Sequence, residues 1–186
     1  MIGISNYSGV FDGNYKTVSG LYSKVLGRDL GFFGKVLGTV KNVGVIDSYF
    51  GGTGGSIGSV AASLHSDGTI QNCYFDGQIC ATLANASLGG IIGYGNNGCT
   101  IINCFNYGRV TSTDNDCRVG AIVGALSDSA NIQNCYYLSG CAVAGDITRN
   151  GIGYRQNGAD ASDTVGVIEA KSAEAFAYSI RERSFL

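Results

Sequence analysis

The chain has 186 residues, only 14% of them charged, and a formal net charge of −2 at pH 7. Because this charged fraction is well below the roughly 25% of ordinary soluble domains and no basic stripe is present, nucleic acid and anionic membranes are disfavoured as partners. No apolar run is long enough to span a membrane, and the first residues lack the pattern of a signal peptide, so we expect no membrane insertion.

The chain begins with a segment that we interpret as an amino-terminal cap. Residues 11–14, Phe-Asp-Gly-Asn, predict a tight turn between two strands. Short apolar segments follow at 18–21 and 32–34. We expect residues 1–37 to form one capping coil at the start of a stack of repeats.

Residues 38–141 contain four copies of one motif. The three stronger copies recur every 31 residues, and the weaker first copy precedes them by 30 residues, which predicts one residue lost in a turn. Gly58, Gly89 and Gly120 keep the same spacing of 31. A fixed period of roughly 20–50 residues indicates a stack of like units that bury their apolar faces against one another. The equivalent positions are Asn42, Asn72, Asn103 and Asn134, and then Val43, Cys73, Cys104 and Cys135.

The content of each period predicts strands and turns. The periods are rich in Gly, Asn, Ser, Thr, Ile, Val and Tyr, whereas helical repeats need long stretches of helix formers. Glycine accounts for 30 residues, which suits tight corners, and proline is absent, which suits strands that are paired on both sides. We therefore predict an all-β fold: a right-handed parallel β-helix (β-solenoid) of about four to five coils.

The repeat alignment also predicts which side chains form columns along the stack. We expect Ile70, Ile101 and Ile132 to point inward, and the asparagines to form a hydrogen-bonded ladder at a corner rather than a ligand site. Cysteines at equivalent positions project in parallel, which is the wrong geometry for a disulfide. We expect Cys73, Cys104 and Cys135 to be buried free thiols, so that any disulfide would come from Cys80, Cys99, Cys117 and Cys141.

One column is a candidate ligand-binding strip. If the cysteines point inward, then Tyr74, Phe105 and Tyr136 point outward and could stack against sugar rings. The alternative is that these rings pack in the core or stack on one another. The residues expected to flank the strip are Phe75, Tyr107 and Tyr137.

Catalytic and metal sites find little support. A carbohydrate-active enzyme needs clustered acids or a carboxylate pair at a defined separation, whereas the acids here, Asp47 and Asp76 among them, are spread over turns. His65 is the single histidine, and the cysteine spacings do not match a zinc site. Residues 113–116 lack the glycine and the distal glutamate of a recognised calcium loop. We predict no catalytic residue, no metal ligand and no cofactor.

The repeat motif ends at Cys141. Residues 145–162 are rich in Gly, Asn, Asp and Ser and predict a loop. Residues 172–183 combine an amino-terminal capping serine, apolar residues at helical spacing and terminal arginines. We expect residues 142–186 to form a loop and a capping helix that covers the last coil, so that 1–186 is a single domain.

Taken together, these motifs resemble the GLUG-motif repeats of bacterial cell-surface and secreted proteins, which also occur in non-catalytic regions of immunoglobulin A1 metalloproteases. The resemblance covers roughly residues 8–141. The segments that carry it are 11–21, 31–34, 38–45, Gly-Gly-Ile-Ile-Gly at 89–93 and Thr-Ile-Ile-Asn-Cys at 100–104.

The resemblance implies a non-catalytic β-solenoid presented outside the cell, as a rigid stalk or adhesion surface within a longer adhesin-like protein. The signal and the anchor would then lie outside this sequence. The implied partners are host or surface glycans or proteins, and other domains of the longer chain. The alternative is a carbohydrate-binding accessory module or a carbohydrate-active enzyme that uses one face of the solenoid.

Overall fold

A computed structural model describes residues 4, 6–26, 29–156 and 168–171. These residues form twenty-one β-strands and no α-helix. Strands of successive coils pair in parallel and form three sheets, and β18 with β19 is the one antiparallel pair among the named strands of the described part. The predicted all-β parallel solenoid is therefore confirmed.

Five successive coils account for most of the strands. Coil 1 contains β1 (Val10–Ser19) and β2 (Tyr22–Val25), and coil 2 contains β3 (Phe33–Val36) and β4 (Thr39–Gly52). Coil 3 contains β5 (Ser56–Gly58), β6 (Ala61–Leu64), β7 (Thr69–Gln71) and β8 (Tyr74–Ala81). Coil 4 contains β9 (Ser87–Gly89), β10 (Ile92–Gly95), β11 (Thr100–Ile102), β12 (Phe105–Asn106) and β13 (Arg109–Ser112). Coil 5 contains β14 (Arg118–Gly120), β15 (Val123–Leu126), β16 (Asn131–Gln133), β17 (Cys135–Leu138) and β18 (Ala142–Ala144).

Residues that are 31 positions apart in the sequence pair with each other in successive coils. Ile101 pairs with Ile70 of the preceding coil and with Ile132 of the following one. Gly89 pairs in the same way with Gly58 and Gly120. A Cβ atom on Gly89 or Gly120 would clash with backbone atoms of its own coil and of the next, so only glycine fits at this corner.

The first period is one residue shorter because one insertion and one larger deletion combine. Asp47 is an additional residue in β4, because the residues on either side of it pair with consecutive residues of β8. This β-bulge lengthens the coil by one residue. The turn over 52–56 is two residues shorter than the equivalent turn over 81–87. The net loss is the single residue that the spacing of Asn42 and Asn72 predicts.

The core consists of side-chain columns that run along the axis. Val40, Ile70, Ile101 and Ile132 are at most 2% exposed. Their strand neighbours alternate to the other side: Gln71 and Ile102 are half-buried and Gln133 is exposed. The predicted inward column is therefore confirmed.

The amino-terminal boundary differs from the prediction. Leu30 pairs with Ile57 and β3 pairs with β6, so residues 30–37 belong to coil 2 rather than to a capping coil over 1–37. The predicted tight turn at 11–14 is also wrong. β1 is one strand with a register shift between Asp12 and Lys16, since it pairs with β4 on both sides of that bulge.

The solenoid continues beyond the last copy of the motif. After Cys141, β18 pairs with β13, and β20 (Ile152–Arg155) pairs with β15. A short β19 (Ile147–Thr148) folds back on β18, and β21 (Ile168–Lys171) pairs with β17. The predicted loop over 145–162 thus includes two strands. The helix predicted over 172–183 lies outside the described residues.

Candidate functional site

The motif asparagines form the predicted ladder. All four have positive φ between 51° and 57°, a conformation that asparagine adopts more readily than most residues. Asn72 Nδ2 donates to Asn42 Oδ1 at 2.8 Å, and Asn103 and Asn134 repeat this contact with the preceding coil at 3.1 and 3.3 Å. The amides therefore satisfy one another along the corner.

Asp12 begins this ladder, a role that the repeat alignment did not predict. Asn42 Nδ2 donates to Asp12 Oδ1 at 2.9 Å, the Asn14 backbone N–H donates to the same oxygen at 2.9 Å, and Lys41 Nζ lies 3.3 Å from Oδ2. These contacts, led by the Asn42 amide, lower the pKa of Asp12. A carboxylate has no amide hydrogen to pass to a further coil, so the ladder starts here.

The cysteine column lies inside the solenoid. Cys73, Cys104 and Cys135 are 0% exposed, and each Sγ lies 3.2–3.4 Å from the carbonyl oxygen two residues earlier. All seven cysteines are free, which agrees with the prediction for these three. Burial raises the pKa of Cys104 well above its usual value. These thiols therefore act as small apolar core groups rather than as nucleophiles.

The aromatic column points outward. Tyr74, Phe105 and Tyr136 are half-buried and occupy one register position. The Tyr74 and Phe105 rings are parallel within 3° and 4.8 Å apart, and the opposite face of Tyr74 lies over the backbone of Gly44. Both faces of Tyr74 are therefore covered. Sugar binding by this column stays a prediction, and at Tyr74 it would use the ring edge and the hydroxyl rather than a ring face.

The residues expected to flank this column divide into two groups. Tyr107 is half-buried and its ring lies 6.0 Å from Phe105 and 6.3 Å from Tyr74. The prediction for Phe75 and Tyr137 is wrong, since they are 0% and 4% exposed. Each follows an outward ring by one position in its strand, and side chains alternate between the two faces.

A groove of about 520 Å³ lies beside Tyr107. Its floor is a column of small residues, Ser48, Gly77 and Gly108, in coils 2, 3 and 4. The residues just before the floor form the first wall, and those just after it form the second. The first wall contains Asp47, Asp76 and Tyr107. The second wall contains Tyr22, Tyr49, Gln78 and Arg109.

A buried asparagine holds the floor of the groove. Asn106 is 0% exposed, its Oδ1 accepts the Gly108 backbone N–H at 2.8 Å, and its Nδ2 donates to the Ala121 carbonyl at 2.8 Å. A Cβ atom on Gly108 would lie 2.5 Å from the backbone nitrogen of Gly77. A side chain at position 108 would therefore clash with the preceding coil and with the core ring of Phe75.

The fold brings together two acids, Asp47 and Asp76, that the sequence predicts to be spread over turns. Burial, and then the negative charge of Asp47, raise the pKa of Asp76. Burial and then Asp76, Tyr74 and Asp47 raise the pKa of Tyr107 to about 12. Ser19 Oγ lies 3.3 Å from Asp47 Oδ2. In the described part of the chain the one salt bridge joins Lys41 to Asp12, so neither groove acid has a lysine or arginine partner there.

The groove also has an aromatic end. Tyr22 and Tyr49 occupy one register position in coils 1 and 2, and their rings stack 5.3 Å apart with planes 19° from parallel. Tyr22 is 68% exposed. The repeated motif is absent from coil 1, which contains Tyr22, and Asp47 is a bulge residue with no equivalent in the other copies. The spacing of the motif therefore could not assign Tyr22, Tyr49 and Asp47 to one site. The sequence signal for the two tyrosines is that each immediately precedes a buried residue, Ser23 or Phe50, which places the tyrosine on the outer face of its strand.

Other chemistry is sparse in the residues that the structure describes. They contain no group of three or more His, Cys, Asp or Glu side chains placed to bind a metal ion. His65 is half-buried, and burial followed by the charge of Lys35 lowers its pKa. None of the described residues belongs to a helix that could cross a membrane.

Comparison with known proteins supports the fold. No protein-family model matches the sequence, and no curated protein matches it. A solved crystal structure from Bacteroides ovatus, a "putative immunoglobulin A1 protease", is similar with a TM-score of 0.53 and 21% identity over 93% of this chain and 72% of that one. At this identity the similarity shows the fold alone.

Proposed function

We propose that the chain is a non-catalytic repeat module of a bacterial surface or secreted protein, which acts outside the cell as a rigid stalk or adhesion surface. The observation that carries this proposal is the uninterrupted stack of coils. Core columns and the amide ladder pass from coil to coil in register, from Asp12 to Asn134. Each coil is thereby held by its neighbours along the whole axis.

The absence of catalysis is tested against the activity that the Bacteroides ovatus protein is named for. The purified chain is incubated with immunoglobulin A1 and with a panel of polysaccharides, and the products are analysed by mass spectrometry. We expect no cleavage. A product that forms with the chain, and disappears when Asp47 and Asp76 are both changed to Asn, would show that the module is an enzyme.

The extracellular location has its own test. Antibodies against the chain are applied to intact and to permeabilised cells of the source bacterium, and the culture medium is assayed for the protein. We expect labelling of intact cells or secretion into the medium. Labelling that requires permeabilisation would refute the location.

Sugar binding by the aromatic column is the second candidate function. It is favoured by the outward orientation of Tyr74, Phe105 and Tyr136, which leaves their edges at the surface. If it is correct, changing all three to Ser abolishes signals on a glycan array and leaves a β-rich circular dichroism spectrum. Tyr154→Ser, on another sheet, is the control and keeps binding. If wild type gives no array signal and the triple variant unfolds, the column is structural.

A further inference from the structure

We infer that the groove between the Asp47, Asp76 and Tyr107 wall and the Tyr22, Tyr49, Gln78 and Arg109 wall binds a saccharide that carries a free amino group. This inference deepens the adhesion role proposed above and rests on it for the biological setting. The binding itself is a property of the isolated chain, so it can be measured separately.

The groove has the shape for an elongated ligand. It extends from Tyr22 in coil 1 to Arg109 in coil 4. Coils are stacked about 4.8 Å apart, so three steps give a length of about 14 Å. The floor of Ser48, Gly77 and Gly108 runs along the part of this length that coils 2 to 4 form, without a large side chain to block it. These dimensions favour an oligosaccharide lying along the axis over a single compact sugar.

The aromatic end offers a surface for a sugar ring. Tyr22 stacks on Tyr49 by one face. It is 68% exposed, so the aromatic end of the groove offers ring surface to solvent. Ring faces of tyrosine combine an apolar surface with a negative electrostatic potential, which suits the C–H face of a sugar and a nearby ammonium group.

The acidic wall selects the charge of the ligand. Asp47 and Asp76 are close enough for the charge of one to raise the pKa of the other. A cation between them relieves that repulsion and forms charge-assisted hydrogen bonds. An ammonium group supplies the positive charge and the hydrogen-bond donors, whereas the two aspartates repel the carboxylate of a uronic acid. A bare Ca²⁺ ion takes six to eight oxygen ligands, which two carboxylates do not provide.

The second wall provides hydrogen-bond donors, which the two carboxylates of the first wall lack. Gln78 and Arg109 are exposed on the side facing the acids. The guanidinium donates hydrogen bonds, and the amide both donates and accepts them, so sugar hydroxyl and ring oxygens have partners across the groove. The groove thus places ammonium recognition on one wall and hydroxyl recognition on the other.

Isothermal titration calorimetry on the purified chain tests the inference with three tetrasaccharide probes. These are a glucosamine tetramer, its fully N-acetylated counterpart and a galacturonate tetramer, at neutral pH and low salt. We expect the glucosamine tetramer to bind at least about tenfold more tightly than the N-acetylated one, because acetylation removes the charge. We expect no heat from the galacturonate.

Two conservative variants identify the site. Asp47→Asn and Asp76→Asn remove the charges with little change in shape, and Asn tolerates the positive φ of 47° at position 47. The double variant should lose at least about tenfold in affinity for the glucosamine tetramer. Asp67→Asn is the matched control, since Asp67 also has positive φ, at 64°, and lies outside the groove. It should bind as wild type does, and circular dichroism should show all variants folded.

Each contrary outcome overturns a defined part of the inference. Equal binding of the N-acetylated tetramer would refute recognition of the amine, and equal binding of oligolysine would refute recognition of a saccharide. An equal loss in Asp67→Asn would show general charge attraction rather than a site. If no probe binds, the inference about the groove is refuted. The proposed role as a surface module is not affected by that result, because the cell-labelling experiment tests it separately.

Discussion

Ile101 and Ile102 offer a stringent test of the solenoid, because they are the same residue type at consecutive positions of β11. Ile101 is 0% exposed and lies between Ile70 and Ile132 in the inward column, whereas Ile102 is half-buried on the outer face. Changing each to Ala removes the same three carbon atoms from opposite sides of one strand. Any difference in stability therefore reports the environment of the side chain.

The expected difference follows from burial. Loss of three buried methyl or methylene groups at about 0.8 kcal/mol each costs about 2.4 kcal/mol, and the cavity that remains raises the loss for Ile101→Ala to about 3–4 kcal/mol. For a chain of this length that corresponds to a decrease in Tm of about 6–16 °C. Ile102→Ala should cost less than about 1 kcal/mol, because its side chain already contacts water.

Thermal unfolding followed by circular dichroism measures both variants. A second pair, Ile101→Asp and Ile102→Asp, amplifies the contrast, since an unpaired carboxylate at position 101 has no water or partner. We expect Ile101→Asp to be largely unfolded and Ile102→Asp to fold. Comparable losses at the two positions, in either pair, would refute the assignment of the inner and outer faces.

Three further predictions concern particular side chains. The buried thiols of Cys73, Cys104 and Cys135 should not react with a bulky alkylating reagent until denaturant is added. A disulfide between any two of them, detected by mass spectrometry, would contradict this prediction. Asn106→Ala removes two side-chain hydrogen bonds, but the Gly108 N–H keeps the Phe75 carbonyl and the Ala121 carbonyl keeps the Gly90 N–H, so it should cost about 1–3 kcal/mol in urea unfolding. The control Asn97→Ala, in an exposed turn, should be nearly neutral. Because the pKa of Tyr107 is raised from 10.0 to about 12, the folded state keeps a proton that the unfolded state releases, so the free energy of unfolding should fall between pH 10 and pH 12. Tyr107→Phe should make that fall shallower, and an unchanged pH profile would contradict the assignment.

The repeat itself was readable from spacing alone. Equivalent strands pair at one register, so a residue type demanded by one coil is demanded again 31 residues later, and the inward isoleucines, the buried cysteines and the asparagine ladder all follow from that periodicity. The same logic failed at both ends. Coil 1 and the strands after Cys141 pair by backbone hydrogen bonds, which need no motif, so they carry no repeat for an alignment to find.

The groove shows what spacing could not decide. Asp47 is an inserted bulge residue, Tyr22 lies in a coil without the motif, and Asp76 differs in type from its equivalent Tyr107, so no column of like residues marks the site. Periodicity identifies side chains that every coil needs for its own packing. A groove lined by different residue types arises where coils differ. Only the three-dimensional stacking of unlike residues at one register, over a floor of small residues, brings those differences together.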